Sequence, residues 1–376
     1  MKLDHIAIIG LGLIGGSFAK ALKHANPDLF ISAFDKDEVL DLAFADNVID
    51  EKLQDYFFQA GGVHNILNKD SENDSFLHLY LEIGTTPQKN FFYDIVLDSN
   101  NQQHIIRSED WGWKNNQNKK TIDELFVYRH RPNTKESILN NIKGETNNGN
   151  YIYNYIKNFK IYNFKDVGSE LKMKLYSDRY DADSFDKSGI NLATILFILN
   201  KNPEDLHGYE FSYKKIIESI QLVYPSFKNF ILNSSKEAKD KFMLRWEETN
   251  GMRFDIRQIS EGTLRFMCLA TLLNLPDNFY NFNDCIIIDE PELGLHPFAI
   301  HILADLIKKR STDKQIIIAT QSKELLDEFE PEDIIITERI NGDTVFTRKT
   351  SEELKIWLDE YSISDLWERN ILGGRP

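Results

Sequence analysis

The sequence has few cysteines: only Cys268 and Cys285 occur in 376 residues. Both lie in apolar runs, which excludes a disulfide framework and a cysteine-rich metal site and implies buried thiols in a reducing compartment. No apolar run approaches the roughly 20 residues that cross a bilayer. Asp4 and His5 interrupt the N-terminus before a signal-peptide core can form. The expectation is a soluble, cytoplasmic chain with no membrane partner. Basic residues are also in short supply, 44 Lys and Arg against 59 Asp and Glu, for a net charge of −15. That argues against a generally basic surface, so composition names no nucleic-acid partner. Short internal repeats and heptads long enough for a coiled-coil arm are absent as well. What remains is a chain with 41% hydrophobic residues, long enough for two or three domains with a sizeable core.

The chain is organised around Asp284-Cys-Ile-Ile-Ile-Asp289-Glu290-Pro-Glu-Leu-Gly-Leu-His-Pro297. Three successive isoleucines read as a strand buried on both faces, as in a parallel sheet. The run ends in two adjacent carboxylates, and Pro291 stops it. Carboxylates at the C-terminal edge of a parallel sheet stand where α/β proteins bind ligands. Consecutive strand residues point opposite ways, so Asp289 and Glu290 are expected to take different roles. One would hold Mg²⁺, the other polarise a water.

The N-terminal stretch has its own pattern. A strand, His5 to Gly10, leads into Gly10-Leu-Gly12-Leu-Ile-Gly15-Gly16-Ser17 and a helical run, Phe18 to His24. A second strand, Leu29 to Phe34, ends at Asp35. Strand, G-x-G-x-x-G, helix, strand and acid form a dinucleotide-binding context, with Gly10, Gly12 and Gly15 facing a pyrophosphate and Asp35 the ribose. NAD would then be preferred to NADP, because Asp35 repels a 2′-phosphate. Residues 1–52 resemble the dinucleotide-binding segment of prephenate dehydrogenases, through Ile8 to Ser17 and Val48-Ile49-Asp50-Glu51. That likeness stops there, as though two unrelated pieces were joined near Glu51–Gln54.

Beyond it, Phe76–Ile83, Phe91–Leu97 and His104–Arg107 alternate apolar and polar residues, as antiparallel strands with one wet face do. The Asn- and Gly-rich stretch 140–150 reads as a loop. Tyr151 to Phe164 begins as a helix whose tyrosines belong to the core more readily than to a base-stacking surface. Asn191–Asn200 and Phe211–Val223 read as helices, and Phe242–Glu247 and Met252–Ile256 as a strand pair about Asn250-Gly251. Ser260-Glu261-Gly262-Thr263 opens an apolar helix, Leu264 to Leu275, and offers either a phosphate-binding terminus or a plain N-cap. A helix, Ala299 to Lys309, and a buried strand, Gln315 to Ala319, follow. That strand ends in Thr320-Gln321-Ser322, beside Asp289 and Glu290. A further strand, Asp333 to Glu338, turns about Asn341-Gly342-Asp343.

The order Ser-Glu-Gly-Thr, apolar helix, Ile-Ile-Ile-Asp-Glu-Pro, helix, Ile-Ile-Ile-Ala-Thr-Gln-Ser resembles ABC-type ATPase heads. Its nearest likeness is to bacterial AAA-type ATPases related to the chromosome-maintenance and recombination-repair ATPases. The likeness covers about 53–376 and includes Leu264-Arg265-Phe266 and Glu292-Leu-Gly-Leu-His-Pro297. It implies an α/β P-loop NTPase head with an antiparallel β lobe, after a partial Rossmann segment over 1–52. It implies ATP with Mg²⁺, with Asp289 on the metal in the Walker B strand and Glu290 as general base. Ser260, Glu261 and Gly262 would be the signature motif, reaching the γ-phosphate held by a partner in a head-to-tail homodimer, and Gln321 the switch residue. Such heads carry a Walker A loop, G-x-x-x-x-G-K-[ST], which this sequence lacks; Gly10 to Ser17 fits the spacing with Gly16 in place of the lysine. A lost charge-assisted contact costs about 1.5–3 kcal/mol, so impaired hydrolysis is expected.

Overall fold

A computed structural model describes residues 6–10, 76–86, 89–100, 103–115, 126–130, 137–139, 147–157, 160–165, 177–178, 184–201, 208–232, 241–279, 285–340 and 343–373. Gly12, Gly15, Gly16, Asp35 and the Glu51–Gln54 junction lie outside them; Gly10 ends a described strand. In chain order the strands are β1 (Ile6–Gly10), β2 (Phe76–Thr86), β3 (Lys89–Asn100), β4 (Gln103–Asn115), β5 (Phe126–His130), β6 (Ile161–Tyr162) and β7 (Ser177–Asp178). They continue as β8 (Phe227–Ile231), β9 (Lys241–Phe242), β10 (Arg245–Glu248), β11 (Arg253–Asp255), β12 (Cys285–Asp289), β13 (Gln315–Thr320), β14 (Ile334–Ile340) and β15 (Asp343–Arg348). The α-helices are α1 (Asn147–Lys157), α2 (Leu192–Lys201), α3 (Tyr209–Val223), α4 (Glu261–Leu273), α5 (Pro297–Arg310), α6 (Lys323–Leu326), α7 (Ser351–Leu358) and α8 (Ile363–Glu368).

The chain divides into two compact units. One comprises Met1–Phe159, Ile335–Glu353 and Trp367–Pro376, the other Lys160–Ile334 and Leu354–Leu366. In the first, β2-β3-β4-β5 form an antiparallel sheet with Leu81 opposite Tyr93, Tyr93 opposite Trp111 and Trp111 opposite Tyr128. The alternation of Phe91, Tyr93, Ile95 and Leu97 is realised as a buried face. β4 runs well past the predicted Arg107 because Glu109, an acid in mid-strand, is fully buried and fully bonded. Its carboxylate accepts from the Tyr93 hydroxyl at 2.7 Å, the Ser137 hydroxyl at 2.5 Å and the Ile138 N–H at 3.0 Å. Burial pushes the Tyr93 phenol well above its usual range, and the neighbouring Glu109 charge adds to that.

Helix α1 corrects one expectation: residues 147–150 are helical, not loop. Ile152, Tyr153 and Ile156 are buried at helical spacing, and that apolar stripe outweighs the poor helix propensity of Asn and Gly. Of the tyrosines only Tyr153 joins that buried stripe; Tyr151 is exposed, with its ring 4.8 Å from Phe91. In the same unit β14 and β15 pair antiparallel with Ile340 opposite Asp343; Asn341 and Gly342 of the expected hairpin lie outside the described residues.

The second unit holds a parallel sheet in the order β13-β12-β6. Ile286, Ile287 and Ile288 lie beside Ile316, Ile317 and Ile318, and all six are at most 1% exposed. Strand β6 adds Ile161 beside Ile287 and Tyr162 beside Ile288. A separate antiparallel sheet, β11-β10-β8, buries Trp246, with the Asn250-Gly251 turn between β10 and β11. The first of these strands begins at Arg245, not Phe242, since Phe242 pairs with Ser177 instead. Helix α4 is buried from Leu264 through Leu273. An apolar helix without a wet face is what a layer sandwiched between other elements requires. Both cysteines are buried and neither forms a disulfide, as expected.

Candidate functional site

The parallel register positions the site. Because Tyr162 lies beside Ile288, the next residues along, Asn163 and Asp289, meet where β6 and β12 end. The Asn163 amide donates to Asp289 Oδ2 at 3.0 Å. Two residues on, Lys165 Nζ lies 2.9 Å from Asp289 Oδ2 and 3.2 Å from Glu290 Oε2. Burial pulls the Lys165 ammonium down, but its bonds and charge interactions with Asp289 and Glu290 outweigh that and raise it. It is therefore a cation at neutral pH.

The two carboxylates converge on one point instead of facing opposite ways. The strand ends at Asp289, and Glu290 has φ 42°, in the left-handed region. Its N–H still donates to the Ala319 carbonyl at 2.8 Å, but the turn brings its side chain back beside that of Asp289. The alternation rule holds only for extended backbone. Non-glycine residues in this region cost about 1 kcal/mol or more and tend to gather at functional sites.

Asp289 Oδ1 is buried and has no hydrogen-bond partner. An orphaned carboxylate oxygen beside a second acid is the donor a hard divalent cation takes. Among the described residues no group of three or more His, Cys, Asp and Glu side chains could hold a metal by itself. Asp289, with its unpartnered Oδ1, and Glu290 fit Mg²⁺, which keeps several waters and takes one or two carboxylates plus phosphate oxygens.

A third acid, Glu292, lies deeper. Its Oε1 accepts from Thr320 Oγ1 at 2.6 Å, while Oε2 is buried without a partner. Burial raises its pKa; the Thr320 bond opposes that and the Glu290 charge adds to it. Thr320 is therefore the polar residue of the β13 edge that turns inward, whereas Gln321 is exposed.

Ser260, Glu261 and Gly262 open α4. Ser260 is its N-cap, accepting from the Thr263 N–H at 3.1 Å, and stays exposed together with Glu261. One turn on, Arg265 is buried, and its guanidinium donates to the carbonyls of Phe164 at 3.0 Å and Lys165 at 2.9 Å. The same helix start lies against the turn after Glu290: Gly262 closely approaches the carbonyl of Gly294, and Gly294, with φ 73°, lies against Arg265. The Ser260–Gly262 start of α4 thus meets the turn at Gly294, while the structure brings Asp289 and Glu290 together with two residues that motif reading passed over, Asn163 and Lys165. The only sequence signal for the latter is an Asn and a Lys on either side of Phe164, after a short apolar pair.

Among the described residues, no helix is long and apolar enough to cross a membrane. In fold, the chain is similar to the Smc head bound to the C-winged helix domain of ScpA, at 12% identity and a TM-score of 0.51, over 94% of this chain and 93% of that one. The SMC head domain from Thermotoga maritima matches over 91% of this chain and 89% of its own, at 11% identity and a TM-score of 0.43. The first of these likenesses shows a mixed α/β fold of the SMC ATPase head type. A model of the family described as "AAA domain, putative AbiEii toxin, Type IV TA system" matches residues 82–327, which hold every site residue from Asn163 to Gln321. That match spans more than half of the chain, and the chain belongs to this AAA-domain family.

Proposed function

We propose that the chain is an ABC-type ATPase head that binds ATP with Mg²⁺ and hydrolyses it slowly. The observation that carries this reading is the convergence of Asp289 and Glu290 at the end of a buried parallel strand, with Asp289 Oδ1 left without a partner. Asp289 is the metal-holding carboxylate of a Walker B strand, and bound Mg²⁺ would supply charge neutralisation to the phosphates. Glu290 takes a proton from water; the water oxygen forms a bond to the γ-phosphorus as the bond to the β–γ bridging oxygen breaks, leaving ADP and phosphate. Ser260, Glu261 and Gly262 form a signature motif that faces the γ-phosphate bound to a second copy, so the active form is a nucleotide-dependent head-to-tail homodimer with two composite sites. Gln321 is the switch residue at the same edge, and its exposure leaves it accessible to that nucleotide.

The slow rate follows from the sequence. Gly16 stands where a Walker A loop has its lysine. Phosphoryl transfer depends on positioning and charge neutralisation, so a missing clamp lowers the rate steeply. The domain reading is a Rossmann-like segment over 1–52 and an ATPase domain over 53–376. The alternative reading, NAD binding through Gly10, Gly12, Gly15 and Asp35, rests on the first of these segments alone. Calorimetry with ATP against NAD⁺ separates the two. The test of the main reading is phosphate release by the unaltered chain and by Glu290→Gln, purified identically. A low rate that vanishes in Glu290→Gln is expected; a robust rate that survives the change refutes the assignment of the base.

A further inference from the structure

Lys165 occupies the position that a cation between Asp289 and Glu290 would take, and it lies on a segment that no motif in the sequence marks. Its ammonium touches both carboxylates, at 2.9 and 3.2 Å. Its backbone and its head are held differently. The Lys165 carbonyl and the Phe164 carbonyl before it are gripped by buried Arg265. The side chain is 29% exposed and its partners 20% and 26%, so the ion pairs are partly hydrated. Pairs of that kind are worth little in water and can be exchanged for a better partner. The geometry is an anchored stem with a movable charged head at the C-terminal edge of a parallel sheet, where phosphates bind in α/β folds.

We infer that Lys165 is a phosphate-binding residue of this site: it neutralises Asp289 and Glu290 while the site is empty, and it moves to the triphosphate when Mg²⁺-nucleotide arrives. This rests on the ATP reading above and deepens it, because it supplies from β6 the positive charge that Gly16 cannot. A triphosphate offers Lys165 more negative charge than the two carboxylates do, and the arriving metal replaces the ammonium as their counter-ion. Lysine suits the role as a compact charge on a flexible stem. Asn163 remains on Asp289 and keeps that carboxylate oriented.

The test uses the full chain and two probes, MANT-ATP with Mg²⁺ by fluorescence titration and Mn²⁺ alone by electron paramagnetic resonance. Lys165→Met keeps the length of the side chain and removes its charge; Lys165→Arg keeps the charge. Lys165→Met is expected to weaken MANT-ATP binding about tenfold or more, the effect of one charge-assisted contact, and to tighten Mn²⁺ binding severalfold, because the competing ammonium is gone. Lys165→Arg should stay near the unaltered chain in the nucleotide titration. Opposite signs on the two probes are something a purely structural lysine cannot produce. Weakening of both probes in Lys165→Met overturns the proposal in favour of a structural role. Tighter Mn²⁺ with unchanged MANT-ATP shows a counter-ion only and overturns the phosphate contact. An unaltered chain that binds Mn²⁺ but no MANT-ATP refutes the ATP reading itself, and the proposal with it.

Discussion

A Cβ added to Gly262 would lie 2.3 Å from the carbonyl oxygen of Gly294, so the start of α4 and the turn after Glu290 touch through backbone alone. No side chain can be inserted there without moving one of the two. Gly262→Ala is expected to lower stability by about 1–3 kcal/mol, the range for overpacking against rigid neighbours. Urea denaturation monitored by circular dichroism measures it. Gly251, with φ 84° and open space around its added Cβ, is the control for a glycine strained only by its dihedral. A Gly262→Ala chain as stable as the unaltered one would mean that the contact relaxes freely.

Arg265 links the same helix to the loop of Lys165. The buried guanidinium donates to two carbonyls 100 and 101 residues away in the chain. Arg265→Met fills much of the volume and strands both acceptors, at about 1–3 kcal/mol for each carbonyl that water cannot reach. Arg265→Lys should lose most of the same stability, since one ammonium cannot reproduce the two-pronged geometry. Thermal melts of the two variants check this; full stability in Arg265→Lys would show that charge alone suffices.

Glu292 makes stability depend on pH with a definite sign. Burial raises its folded-state pKa, so the folded chain prefers the protonated acid and ionisation costs stability. The penalty is absent below the unfolded carboxylate value of about 4.3 and complete above the raised folded value. Glu292→Gln keeps an acceptor for Thr320 and removes the charge. It should raise the melting temperature at pH 8 relative to the unaltered chain, and that gain should shrink toward zero at pH 4. A gain that is constant with pH would assign it to packing, not ionisation.

Part of this site was legible in the sequence because it is local. Three isoleucines followed by Asp289-Glu290 announced the end of a buried strand. The second isoleucine run predicted its parallel neighbour, and Ser260 before an apolar run predicted a capped helix. Lys165 and Asn163 were not legible. Their links to Asp289 span 124 and 126 residues, and they depend on the register of a two-residue strand, β6, too short to show a period. The opposed orientation of Asp289 and Glu290 failed for a different reason. Alternation presumes extended backbone, and no residue type at position 290 advertises a left-handed turn. Nor did the Asn-rich stretch before Tyr151 announce a helix, because what makes it helical is the sheet its apolar stripe covers.

That left-handed turn gives the last prediction. Glu290 holds φ 42°, a conformation that glycine adopts without strain and that costs other residues about 1–2 kcal/mol. Glu290→Gly and Glu290→Ala both remove the carboxylate and its contact with Lys165, so the difference between them isolates the backbone. At ordinary positions alanine is the more stabilising of the two by about 0.4–1 kcal/mol, because glycine gains more freedom on unfolding. Here the order should reverse, with the glycine variant the more stable by roughly 1 kcal/mol once the relief of strain exceeds that entropy. Chemical denaturation of the two variants side by side decides it. Alanine equal to or better than glycine would mean that Glu290 is not strained and that another cause brings its carboxylate back beside Asp289. The predicted order would instead show that the chain gives up stability at this residue to set two acids on one cation.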